Sequence, residues 1–197
     1  MKINTNLLVV ALSLLLVCFL LSCQYDYRSP LPGTIDLRLS TKSSEIAFDP
    51  QNNFVLKVTS IEAIRSDQVR VTVYEDPKAI NRTLRVYNTF DVQARDSLLV
   101  LGESPVPPGE YIGFNLAIEP GSTVILNGYI DIPIKRLPGF DPTLRFRTPY
   151  SVREEETTTI VITVNLDSTL VRGVDFATKR DIYYFKPYYY ISSISYH

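Results

Sequence analysis

Tryptophan is absent from the 197 residues, histidine occurs once, as His197, and cysteine occurs only as Cys18 and Cys23. With its one histidine as the last residue and so few thiols, the chain is not expected to form Ser-His-Asp or Cys-His nucleophile arrangements or most zinc sites. The chain also lacks an HExxH pair, a GxxxxGK loop and the acidic spacing of an EF-hand. A carboxylate pair such as Asp141 with Glu154 would suit glycoside hydrolysis if held about 5–10 Å apart, but nothing in the sequence singles that pair out. Excess charge is missing too. Twenty basic residues face 21 acidic ones, which gives no electrostatic reason to bind nucleic acid or an anionic surface. The expectation is a non-enzymatic chain with no cofactor and no metal site.

What is present begins with Lys2, the only charge before Cys23, followed by an apolar run from Leu7 to Leu21 broken only by Ser13. Fifteen residues are too few for a membrane-spanning helix, which needs about 20, and the layout is that of an export signal. The run ends Leu20-Leu21-Ser22-Cys23, which resembles the bacterial lipobox: an aliphatic residue three before the cysteine and a small one just before it. Cys18 fits less well, because the β-branched Val17 precedes it. The resemblance implies cleavage before Cys23 and lipidation of its thiol and new amine. Two or three acyl chains then hold the protein to the membrane, since each buried CH₂ contributes about 0.8 kcal/mol and one chain alone is marginal.

This divides the chain into a lipoprotein signal peptide (1–22), a lipidated tether (23–32) containing Gln24 to Pro32, QYDYRSPLP, and a folded domain (33–197). The last is one domain of ordinary size. Lys2 leaves with the signal, so the remainder carries 19 basic and 21 acidic residues, a formal charge of −2. Both cysteines drop out of folding, and an oxidising compartment is used without disulfides.

Within the domain, apolar residues recur at every second position, the pattern of strands with one buried face. The sets are Ile35, Leu37 and Leu39; Phe54, Leu56 and Val58; Val69, Val71 and Val73; Leu84, Val86 and Phe90; Leu98 and Val100; Ile112, Phe114, Leu116 and Ile118. They continue with Val124, Leu126, Ile130 and Ile132; Leu144 and Phe146; Ile160, Ile162, Val164 and Leu166; Tyr183 and Phe185. Turn chemistry falls at Asp76-Pro77, Pro107-Pro108-Gly109, Pro120-Gly121, Pro138-Gly139 and Gly173. About ten short strands exceed one ordinary open sheet. The expected fold is therefore all-β, a two-sheet antiparallel sandwich, with at most a helical turn at Ala79–Asn81 or within Ser168–Phe176.

Several of these pieces resemble a family of bacterial lipoprotein domains catalogued as domain of unknown function 4382. They are GTIDLRLS (Gly33 to Ser40), VPPGEYIGFNLAI (Val106 to Ile118), VNLDSTLV (Val164 to Val171) and YYFKP (Tyr183 to Pro187). The resemblance implies an exported β-sandwich of immunoglobulin or transthyretin type, with no assigned activity and no catalytic residues to carry over. The stretch from Pro133 to Phe140 departs from the family pattern.

One aromatic cluster remains, Tyr183, Tyr184, Phe185, Tyr188, Tyr189 and Tyr190. Sugar rings stack on aromatic faces while phenol hydroxyls supply hydrogen bonds. Strand alternation would place Tyr184, Tyr188 and Tyr190 on one face, although Pro187 weakens that parity. Two functions follow. The first is a membrane-anchored envelope lipoprotein whose noncatalytic domain serves protein interaction or envelope assembly. The second is a glycan-binding surface lipoprotein using those three tyrosines. In a Gram-negative host Gln24 after the lipidated residue is consistent with the outer membrane, with the periplasmic or external face left open by the sequence.

Overall fold

Alternation in the sequence becomes alternation in burial along Gly33–Lys42, strand β1, where Ile35, Leu37 and Leu39 are buried on one side and Thr34, Arg38 and Ser40 stay half-exposed on the other. The computed structural model describes residues 29–44, 51–75, 86–88 and 98–197. The expected signal peptide, Cys23, Leu84, Phe90, Asp76-Pro77 and Ala79–Asn81 lie outside the described residues. After β1 come β2 (Asn53–Arg65), β3 (Arg70–Glu75), β4 (Val86–Asn88), β5 (Leu99–Val106), β6 (Gly109–Leu126) and β7 (Ile130–Arg136). Then follow β8 (Thr143–Phe146), β9 (Tyr150–Val152), β10 (Thr157–Asn165), a single helical turn α1 (Leu166–Thr169), β11 (Leu170–Val174), β12 (Asp181–Phe185) and β13 (Tyr189–Tyr196). The turn α1 is capped by Asn165, whose side chain accepts from the Ser168 amide at 3.1 Å.

The strands make two mixed sheets, one of four in the order β13-β10-β1-β5 and one of nine built around β11-β12-β7-β6-β2-β3, with β4 on β2 and β8 and β9 on β6. Strictly antiparallel pairing does not hold. Strand β1 runs parallel to β10, and β12 runs parallel to β7. A parallel neighbour needs a long crossover, and here β2 to β9 lie in the sequence between β1 and β10. One apolar cluster joins the sheets, drawing Leu37 and Ile162 from the smaller and Phe54, Leu116 and Phe185 from the larger. Each such fully buried side chain contributes about 1.5–3 kcal/mol.

Bulges shift several faces by one residue. In β5 the register slips opposite Leu37/Arg38, so Leu101 is buried while Leu98 and Val100, expected inside, are each 43% exposed. In β6 a slip opposite Ile64/Arg65 turns Tyr111 inward and leaves Ile112 half-buried. The Tyr111 hydroxyl donates to the Pro107 carbonyl at 2.7 Å, and its ring stacks on Tyr150 at 5.3 Å. The Pro107-Pro108-Gly109 reversal is thus tied to the strand it starts. Gly113 has φ +149°, and a Cβ there would lie 1.9 Å from the Phe146 carbonyl oxygen, so glycine is required where β8 ends against β6.

Two expected turns are instead strand. Pro120-Gly121 lies inside β6 beside a register shift with β2, and Gly173 lies inside β11. The reversal after β6 is made by Asn127 and Gly128, both at positive φ (52° and 75°), the Asn-Gly signal of a tight hairpin. Val69, expected in a strand, sits exposed in the turn before β3, and Ile130 is exposed at the start of β7.

Candidate interaction surface

The outward side of the four-stranded sheet is set by register. Asp36 stands opposite Thr159 on one side and Glu103 on the other, Arg38 opposite Val161 and Val100, and Thr163 opposite Tyr190. Along its centre this side is covered, since Asp36, Thr159, Val161 and Thr163 are all buried. Arg38 meets the Asp36 carboxylate at 2.6 Å, and that hydrogen bond, then the charge itself, raises the guanidinium pKa. The second Asp36 oxygen is buried with no hydrogen-bond partner.

Exposure returns at the β13 flank. Tyr188 and Tyr190 are 53% and 39% exposed, their rings 6.4 Å apart and inclined edge-on at 62°, and Ser192 and Ser193 are exposed beside them. Ser192 is the extra residue of a bulge opposite Val161/Ile162. Its hydroxyl donates to the Val161 carbonyl at 3.1 Å and lies 2.9 Å from the Thr163 hydroxyl. The bulge is thereby held in place. On the inner side Tyr189, Ile191 and Ile194 pack against the core, and burial pushes the Tyr189 phenol pKa upward.

The three tyrosines do not share a face. Lys186, Pro187 and Tyr188 break the strand, placing Tyr184 in β12 of the nine-stranded sheet and Tyr190 in β13 of the other. Pro187 was the sequence signal for that break. Tyr184 is half-buried over Gly173, where an added Cβ would come 2.7 Å from its ring, so its ring fills the space over a glycine in a neighbouring strand. Only Tyr188 and Tyr190 come together. Asp141 is engaged by Arg145 at 2.7 Å, and its carboxyl is held below the usual range first by the Thr143 amide and then by that arginine. Glu154 belongs to the separate turn before β10.

A cleft of about 420 Å³ opens where β7 and β12 separate, with Ile130, Ile132 and Pro133 on one side and the 2.7 Å Arg172–Asp181 ion pair on the other. Asp131 and Arg180 line it as well, so two acidic and two basic side chains balance there. Among the described residues no group of three or more His, Cys, Asp and Glu side chains could hold a metal ion, and no helix is long and apolar enough to cross a membrane.

Sheet edges separate the flanks further. Among the described residues β4, β8 and β9 are short strands with one neighbour each, and the longer strands that end the two sheets are β13, β5, β11 and β3. Three carry charge: Glu103 with Pro105 in β5, Arg172 in β11, Arg70 and Glu75 in β3. Such residues discourage unwanted strand pairing. Strand β13, YYISSISY, has neither charge nor proline. No protein-family model, curated protein or solved structure matches the chain.

Proposed function

We propose that this chain is an envelope lipoprotein, lipidated at Cys23, whose noncatalytic β domain offers the β13 flank to a protein partner or an envelope assembly. The observation that carries the reading is that β13, eight residues long, is the one of the four longer sheet-ending strands that lacks charge and proline, and it bears exposed aromatic residues; β4 and β9 also lack charge and proline but are three residues each. The fold proposed with it is a two-sheet sandwich of immunoglobulin or transthyretin type. The apolar cluster common to both sheets supports this, as does the Tyr111 hydroxyl bonded back to Pro107, an arrangement like the tyrosine corner of such sandwiches. Membership in the lipoprotein family named above rests on the segments quoted for it.

The test is metabolic labelling with a palmitate analogue in wild type and Cys23→Ser, with protease shaving of intact cells and recovery of cross-linked envelope partners. Label lost in the variant and a reproducible partner support the proposal. Label retained in Cys23→Ser, or no partner from cross-linked envelopes, contradicts it. Shaving decides between the periplasmic and external faces.

The exposed, edge-on Tyr188–Tyr190 pair favours a second reading, a glycan stacked on those rings. A glycan array bound by wild type and lost in Tyr188→Ala supports it, and a silent array removes it.

A further inference from the structure

The backbone of His197 exchanges both hydrogen bonds with Thr157, and the Asn165 amide donates to the Tyr188 carbonyl. Antiparallel ladders alternate inward and outward pairs, so from one end Ser195 and Ser193 also point their peptide groups at β10, and from the other so does Tyr190. The residues whose N–H and C=O point away from the sheet are Tyr189, Ile191, Ile194 and Tyr196. Among the described residues no strand pairs with that side.

The bulge at Ser192 gives this outward set its symmetry. In an unbroken strand, a two-fold axis between two residues would set an outward peptide against an inward one. Here the bulge reverses parity at the midpoint, so an axis between Ser192 and Ser193 sets Tyr189 against Tyr196 and Ile191 against Ile194, outward against outward. Side chains agree, because Tyr189, Ile191, Ile194 and Tyr196 all lie on the same side of the sheet as Ile160, Ile162 and Val164. The sequence is nearly palindromic about the same point, Tyr-Tyr-Ile-Ser and Ser-Ile-Ser-Tyr. No like charges meet in that register, whereas like charges directly opposite would oppose pairing.

We infer that the partner of β13 is β13 of a second copy of this chain, paired antiparallel about a two-fold axis between Ser192 and Ser193, joining two four-stranded sheets edge to edge. This deepens the interaction reading above and rests on it. Tyr190 then stands opposite Ser195 of the second copy in a non-hydrogen-bonded pair, with Cα atoms about 4.5 Å apart, a separation a disulfide spans.

The experiment uses the full-length protein in its membranes, oxidised and run without reductant, then the detergent-extracted protein sized by light scattering. A disulfide dimer is expected from Tyr190→Cys with Ser195→Cys in one chain. None is expected from any of these cysteines alone, nor from Tyr188→Cys with Ser195→Cys, which the register leaves about 7–8 Å apart. Wild type is expected to size as a dimer and Ser193→Lys, which crowds two ammonium groups at the axis, as a monomer. A monomeric wild type, equal cross-linking in the displaced pair, or a disulfide to a different protein at these cysteines overturns the inference. If those failures occur while another envelope protein is still captured by general cross-linking, the interaction reading survives and only the self-pairing falls; if nothing is captured, both fall.

Discussion

The two sheets are built for different burdens. The nine-stranded sheet is laced with ion pairs, Lys57–Glu119, Arg70–Glu62, Lys135–Asp175, Arg145–Asp141 and Arg172–Asp181, and its ending strands β3 and β11 carry charge. The four-stranded sheet has Arg38–Asp36 on β1 and no ion pair on β13. Surface pairs contribute little to stability, about 0–1 kcal/mol each, so the difference is better understood through association. Charge on an edge discourages strand pairing, and β13 lacks that protection along its eight residues. The aromatic stacks of the larger sheet, Phe114 on Phe146 and Tyr111 on Tyr150, lie inside the core, while the edge contact of Tyr188 with Tyr190 at the start of β13 lies outside.

The sharpest way to break the comparison is to damage the larger sheet and ask whether the whole domain fails. Gly113→Ala drives a Cβ into the Phe146 backbone at a φ that non-glycine residues avoid, so a loss above about 3 kcal/mol is expected, read as failure to accumulate folded protein. Next comes Phe114→Ala, which empties a buried stack on Phe146 and is expected to cost about 3–5 kcal/mol by denaturant titration.

Alkali should act on both sheets, since burial raises the Tyr189 phenol pKa of the smaller sheet as well as those of three tyrosines of the larger. Burial raises the pKa values of Tyr150, Tyr111 and Tyr183 above the ordinary 10. The unfolded chain then releases these protons first, so their contribution is complete below pH 10 and is lost as pH rises through the folded values. Thermal midpoints should fall steadily above pH 10, and Tyr150→Phe should lessen the fall. At neutral pH Tyr150→Phe is expected to be neutral or slightly stabilising, because its buried hydroxyl has no partner. Tyr111→Phe removes the bond to Pro107 and should cost about 1 kcal/mol.

The smallest effect on stability belongs to the other sheet. Tyr188→Ala and Tyr190→Ala should each stay within about 0.5 kcal/mol, as exposed substitutions do, while weakening partner capture. A large loss of stability from either would show that the flank is structural.

Legibility followed local regularity. The inward residues of β1 are readable because Asp36 and Arg38 separate Ile35, Leu37 and Leu39, whereas in β10 and β12 the inward sets hold although Val161 and Ile182 beside them are buried as well. Leu98 to Leu101 is apolar throughout, so its face is set by the bulge opposite β1, which leaves no mark in the sequence. At β6 the same occurs, where Tyr111 rather than Ile112 turns inward. Asn127-Gly128 was a readable hairpin signal inside what resembled one long run. Of the binding surface, Tyr188 and Tyr190 were legible, whereas the separation of Tyr184 depends on strands pairing in different sheets. The edge position of β13 is a property of topology, and the sense of its near-palindrome appears only once the bulge is located.

The most direct measurement places a photoreactive amino acid at position 190 or, for comparison, at position 129 on the β6–β7 turn, where Tyr129 is 79% exposed, and irradiates intact cells. A discrete adduct at twice the protein's mass from position 190 and none from position 129 is the expected result. No adduct from position 190, or the same adduct from both positions, would contradict the claim that the β13 flank is the interaction surface.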